Sequence, residues 1–223
     1  MAEVAAAIDH ALLRPGLTVD AVRAGCAVAA RYAVASLCCK PADVSLCHSI
    51  LAGSTVEVGT VVGFPHGSSL GSVKRFETER ALDDGATEID VVLNVGRLRS
   101  GEDAWVADEL AGVVDACRGR GIVKVILECA LLTDAEKVRA CGLAVAAGAD
   151  YVKTSTGYAA HGATLEDVRL LRALAPAPVR VKAAGGISTL DGLLAMLDAG
   201  ASRVGCSATA ALLDELADRH AAR

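Results

Sequence analysis

Aromatic residues are scarce in this chain. One Trp, three Tyr and two Phe amount to 3% of its 223 residues, while apolar residues as a whole reach 53%. A core cannot then be built around large rings, and must be assembled from Ala, Val, Leu and Ile, which suit parallel strands buried beneath helices. Long apolar runs are missing too. Gly, Asp or Arg interrupts each one before the ~20 residues that a membrane-spanning helix requires, so no membrane association is expected. The apolar stretch from Val4 to Ile8 follows Glu3 rather than a basic segment and is broken at Asp9 and His10, unlike an export signal. Basic clusters are also lacking: the net charge is −5 and no run of Lys or Arg occurs, which argues against a nucleic-acid partner. The eight cysteines, at positions 26, 38, 39, 47, 117, 129, 141 and 206, include no C-x-x-C pair and sit mostly in apolar segments, the usage expected of reduced core thiols in a cytoplasmic protein. Five histidines, at 10, 48, 66, 161 and 220, show neither H-x-H nor H-E-x-x-H spacing, so no metal site is expected.

What is present is a regular alternation of short β-branched runs with Ala/Leu-rich segments of helical period, the pattern of successive βαβ units. Strands are predicted at Ile8–Leu12, Ala33–Leu37, Glu57–Val62, Glu88–Leu93, Lys124–Leu127, Tyr151–Lys153, Val179–Lys182 and Arg203–Val204. Eight such units imply an α/β fold of the (β/α)8-barrel type, and with no linker-like segment the whole of 1–223 reads as one domain. A weak internal repeat agrees: DDGATEID at 83–90, AAGADYVK at 146–153 and DAGASRVG at 198–205 each read as helix end, glycine cap and strand. Superposed, the copies bring Asp90, Lys153 and Gly205 to one position near the C-terminal end of a strand, the end of a barrel that carries chemistry.

Lys153 ends an otherwise apolar strand and precedes the polar turn 154–157. Lys182 ends the next strand 29 residues later, one β/α unit on. The two ammonium groups should therefore face each other across strands about 5 Å apart. Desolvation and a like charge both lower a lysine pKa, and a neutral amine is what imine formation with an aldehyde requires. Asp90 faces the barrel interior if Ile89 and Val91 face the helices, which places a carboxylate beside both lysines for proton transfer. Alternation also turns Glu88 and Arg180 inward one layer below, where they either pair with each other or one is turned outward by a strand irregularity. The Asp9-His10 pair either lines the mouth or is a satisfied structural pair. The loops after strands seven and eight, Ala183-Ala184-Gly185-Gly186 and Gly205-Cys206-Ser207-Ala208, occupy the positions at which barrels bind phosphate. Gly185, Gly186, Gly205 and Ser207 are thus expected to hold an anion.

Seven segments carry a resemblance to a known family: 8–15 (IDHALLRP), 36–41 (SLCCKP), 61–67 (VVGFPHG), 88–96 (EIDVVLNVG), 124–128 (KVILE), 150–157 (DYVKTSTG) and 181–187 (VKAAGGI). In this order they resemble the deoxyribose-phosphate aldolase family across nearly the whole chain. The resemblance implies a single-domain TIM barrel in the cytoplasm, with Lys153 as Schiff-base lysine, Asp90 as proton donor and acceptor, and Lys182 as the second lysine that assists. It implies reversible cleavage of 2-deoxy-D-ribose 5-phosphate to acetaldehyde and D-glyceraldehyde 3-phosphate without cofactor or metal. Cys38 and Thr154, within the shared segments, join the expected substrate-binding set. A small phosphorylated sugar is the expected partner, and a homo-oligomer is left open. The chain departs from the family at Cys206, at Tyr158, where some members carry Lys, and in the tail 219–223, which lacks the Tyr of some members. The residues alone also admit another Schiff-base barrel aldolase or transaldolase, or a sugar-phosphate binder without catalysis.

Overall fold

The computed structural model describes residues 1–221; the last two residues of the 219–223 tail lie outside the described residues. Eight parallel strands close on themselves in sequence order: β1 Ile8–Leu12, β2 Ser36–Cys39, β3 Glu57–Val62, β4 Glu88–Val92, β5 Ile122–Ile126, β6 Tyr151–Lys153, β7 Arg180–Ala184 and β8 Arg203–Cys206. The helices are α1 Ala2–Ala5, α2 Val19–Tyr32, α3 Val44–Leu51, α4 Gly71–Asp83, α5 Val95–Arg99, α6 Asp103–Cys117, α7 Asp134–Ala147, α8 Leu165–Leu174, α9 Leu190–Asp198 and α10 Thr209–Ala221. Short 3-10 turns at Pro41–Asp43 and Cys129–Leu131 precede α3 and α7. The fold is an α/β TIM barrel.

Small aliphatic side chains fill the space between sheet and helices. Val22, Cys26 and Ala29 of α2, Leu110 and Val113 of α6, and Val168 and Leu171 of α8 meet the outward faces of the strands, where Ile89, Val91, Val152 and Val181 are all fully buried. Thr or Asn caps start the helices after β1, β4, β5, β6 and β7, each side-chain oxygen accepting from a backbone N–H three residues on. The three repeat copies keep their glycines: Gly85, Gly148 and Gly200 have φ of 103°, 91° and 109°, left-handed values that let a helix end turn sharply into the next strand.

Where strand limits differ from the sequence expectation, a local cause is visible. Ala33 has φ 48° and caps α2, so β2 starts at Ser36 rather than at 33. Val179 N–H bonds to the Pro176 carbonyl in a turn, which delays β7 to Arg180. At their other ends β7 and β8 run on through Ala184 and Cys206. Ala183, Ala184, Gly205 and Cys206 are therefore strand and not loop, and Asp90 and Lys182 lie within their strands and not at the ends.

Candidate active site

Period-two alternation turns Asp9, Glu88, Asp90, Lys124, Lys153, Lys182 and Arg203 into the barrel, and the parallel register sets them side by side. Asp90 is the partner of Lys124 across β4 and β5, Lys153 of Lys182 across β6 and β7, and Lys182 of Arg203 across β7 and β8. Lys153 Nζ donates to Asp90 Oδ2 at 2.6 Å and Lys182 Nζ to the same oxygen at 2.7 Å, while Lys124 Nζ reaches Oδ1 at 2.9 Å. Asp9 Oδ2 lies 2.5 Å from Lys182 Nζ, an ion pair without hydrogen-bond alignment, and its other oxygen accepts from Arg203.

These contacts separate two lysines that occupy one layer at equal depth. Burial lowers the pKa of Lys153; Asp90 opposes the shift and the Lys182 ammonium adds to it, and the net direction is downward. Burial works against the charge of Lys182 as well, but Asp9 and Asp90 together more than offset it, and its pKa is raised. Lys124, facing Asp90, Asp9 and Glu88, is held well above its ordinary value despite burial. Asp90 is fully buried, yet Lys124, Lys153 and Lys182 hold its carboxyl well below the usual range. The site thus presents one lysine biased toward the free amine beside a fixed carboxylate and a fixed ammonium.

Glu88 does not pair with Arg180. It accepts from Lys124 at 2.6 Å and from Arg203 at 2.7 Å, whereas exposed Arg180 stacks on the ring of Tyr151, 4.2 Å from its centroid. Asp9 and His10 also part company. Asp9 points into the ionic cluster, and His10 faces the helices and shares a 2.8 Å hydrogen bond with Thr209 Oγ1. Lys124 and Arg203 were missed as inward groups because each stands at the first residue of a predicted strand.

Above the cluster opens a cavity of about 590 Å³, lined by Cys38, Lys153 and Lys182 at its base and by the β7–α9 and β8–α10 loops at one side. Gly185, Gly186, Gly205 and Ser207 all line it, the last exposed just before α10. Gly185 is needed for a close approach: a Cβ there would stand 2.9 Å from Gly162 Cα and 3.1 Å from Gly157 Cα. Gly186 has φ 77° and open space around it. A Cβ at Gly205 would stand 3.2 Å from the Ala184 Cβ and in ordinary contact with Lys182 Cε at 3.4 Å. Burial pushes the Cys38 thiol up to about 11, with Asp90 adding, so it stays protonated at neutral pH.

Thr154 does not line the cavity. It is fully buried, and its Oγ1 donates to the Ala184 carbonyl and accepts from the Ala184 N–H, clamping β6 to β7. Thr156 and Tyr158 line the mouth instead. Glu128, in a left-handed conformation with φ 59°, accepts from Thr156 N–H and Oγ1 and fixes the β6–α8 loop. The Tyr158 ring meets Phe64 of the β3–α4 loop edge-on at 5.4 Å. That loop is held by buried Lys74 of α4, which pairs with Glu109 and donates to the carbonyls of Gly67 and Val92 at 2.8 and 2.7 Å. Among the described residues no group of three His, Cys, Asp or Glu side chains is arranged to hold a metal ion, and no helix is long and apolar enough to cross a membrane.

Comparison with known proteins bears on this arrangement. A family model described as DeoC/LacD family aldolase matches residues 4–214. The deoxyribose-phosphate aldolase of Bacillus mycoides is 48% identical over 210 residues, 94% of each chain, and that of a Geobacillus strain 45% identical over 211 residues, 95% of each. A tetrameric deoxyribose phosphate aldolase from Aeropyrum pernix superposes with a TM-score of 0.90 at 32% identity, over 97% of this chain and 92% of that one. With the family model spanning nearly its whole length and a barrel mouth built around paired lysines and a carboxylate, the chain belongs to the DeoC/LacD family of aldolases and is a carbon–carbon lyase.

Proposed function

We propose that this aldolase reversibly cleaves 2-deoxy-D-ribose 5-phosphate to D-glyceraldehyde 3-phosphate and acetaldehyde through a Schiff base on Lys153. The observation that carries the reading is the asymmetry of the lysine pair: one carboxylate faces Lys153 and two face Lys182, so only the former is released toward the neutral amine. Lys153 attacks C1 of the open-chain sugar and loss of water leaves a protonated imine. This accepts the electrons of the breaking C2–C3 bond. Asp90, directly or through a water, takes the C3 hydroxyl proton as glyceraldehyde 3-phosphate departs. The Asp90–Lys182 pair then returns a proton to the enamine carbon, and hydrolysis frees acetaldehyde. The phosphate is held by the backbone N–H groups of Gly185 and Gly186 and by Ser207, beside the starts of α9 and α10, with Gly205 of β8 lining the same cavity. The whole chain acts as one domain. A cytoplasmic setting accords with the eight cysteines, all free and buried.

Incubation with acetaldehyde and borohydride tests the assignment. A two-carbon adduct should map to Lys153 and vanish in Lys153→Ala, while that variant keeps its fold. An adduct at Lys182 instead, or a dihydroxyacetone or keto-acid donor trapped in place of acetaldehyde, would replace this reading with that of another Schiff-base barrel. Sugar-phosphate binding with no reducible adduct would leave a binder without catalysis.

A further inference from the structure

Three cationic side chains line the cavity. Two of them, Lys153 and Lys182, are tied at its base to Asp90 and Asp9. The third is Arg14, at the rim on the β1–α2 loop, exposed and with no hydrogen-bond or ion-pair partner for its guanidinium among the described residues. The loops after β7 and β8, which close the barrel against β1, offer an anion only neutral donors, the glycine N–H groups and the hydroxyls of Ser188 and Ser207. A phosphate monoester near neutral pH carries close to two negative charges.

The segment that carries Arg14 is pinned on both sides. Tyr158 OH donates to the Leu13 carbonyl at 2.9 Å and Lys40 Nζ to the Leu17 carbonyl at 3.2 Å, while Leu17 N–H closes a turn on the Arg14 carbonyl at 3.2 Å. Pro15 restricts the backbone further. Tyr158 is itself braced by Phe64. The backbone that carries the guanidinium is thus fixed from both ends, so only the side chain remains to be ordered when a ligand arrives. Its planar fork matches two phosphate oxygens at once.

We infer that Arg14 supplies the cationic contact for the substrate phosphate, and that Tyr158 positions the loop bearing it. The identity of the sugar rests on the aldolase reading above; the anion contact does not need turnover to be tested. Calorimetric titration with inorganic phosphate, set beside kcat/KM for 2-deoxyribose 5-phosphate and for 2-deoxyribose, separates the two. Arg14→Gln should weaken phosphate at least about tenfold and lower the preference for the phosphorylated sugar by a similar factor, the scale of a hydrogen-bonded charge contact. Arg14→Lys, which restores the charge without the fork, should recover part of both, and Tyr158→Phe, which keeps the ring against Phe64, should lose an intermediate share. Wild-type phosphate affinity in Arg14→Gln, or no phosphate binding by the wild type, overturns the inference while leaving adduct formation at Lys153 untouched. Wild-type affinity in Tyr158→Phe removes Tyr158 from it. A wild type that binds phosphate through Arg14 yet traps no acetaldehyde sinks the Schiff-base reading proposed above and keeps the contact.

Discussion

Lys153 and Lys182 are register partners on adjacent strands, equally buried, and a carboxylate apart in their surroundings. Replacing Lys182 by Met removes a like charge from beside Lys153 and leaves Asp9 and Asp90 less neutralised, and both changes favour the ammonium. The pH at which imine formation reaches half its maximum should therefore move upward, read from the pH–rate profile of borohydride trapping; an unchanged or lower value would show that the amines do not interact. Asp90→Asn has the opposite sign, because it removes the group that raises the Lys153 pKa. Imine formation should persist and extend to lower pH, while carbon–carbon cleavage falls by about 100-fold or more as the proton acceptor is lost. Equal loss of both steps would make Asp90 a structural ion-pair member only. The sequence made this trio legible since a charged side chain at an inward strand position is rarely accidental. It hid Lys124 and Arg203, whose inward direction depends on which residue begins the strand.

The elements themselves were read well where glycine or a polar residue marks their ends, as at β3 and β6, whose limits coincide with expectation. They were read poorly where alanine does both jobs. Ala33 caps a helix in a left-handed conformation without a glycine to announce it, and Ala183–Ala184 extend a strand that looked like a loop. Loop-on-loop packing was illegible altogether, because close backbone contact at Gly157, Gly162 and Gly185 leaves no trace beyond glycine itself. Two neighbouring substitutions separate its contributions. Gly186→Ala meets no atom and should cost only the left-handed backbone, ~1–2 kcal/mol. Gly185→Ala bears the same penalty and must also push the β6–α8 loop away. Its melting temperature should lie clearly below that of Gly186→Ala, and equal values would mean that the loops part without cost.

Over the whole molecule, ion pairs cross the barrel as well as run around it: Arg203 on β8 reaches Glu88 on β4, and Lys182 on β7 reaches Asp90 on β4. These links tie opposite walls in place of an apolar plug. Arg203→Met should accordingly cost ~3–5 kcal/mol in denaturant unfolding, as expected when one partner of a buried charge cluster is removed; a loss below ~1 kcal/mol would place Arg203 at the margin of the network. The helical shell around that interior is the part of the molecule most fully legible from composition, since aliphatic periodicity alone dictates it.

Four basic and three acidic side chains meet inside this barrel, an odd total. With all seven ionised, the interior would carry one unbalanced positive charge, which a desolvated space resists. Arg203 cannot give up its proton, and Lys124 and Lys182 are held charged by their neighbours. The imbalance bears on Lys153, the one lysine of the three whose pKa is lowered. On the Schiff-base reading proposed above, condensation with an aldehyde returns a positive charge to that nitrogen, against Asp90 Oδ2. Parity thereby links the nucleophile to residues that never approach substrate. With Arg203 gone, three cations would face three carboxylates, and the Lys153 pKa would move upward.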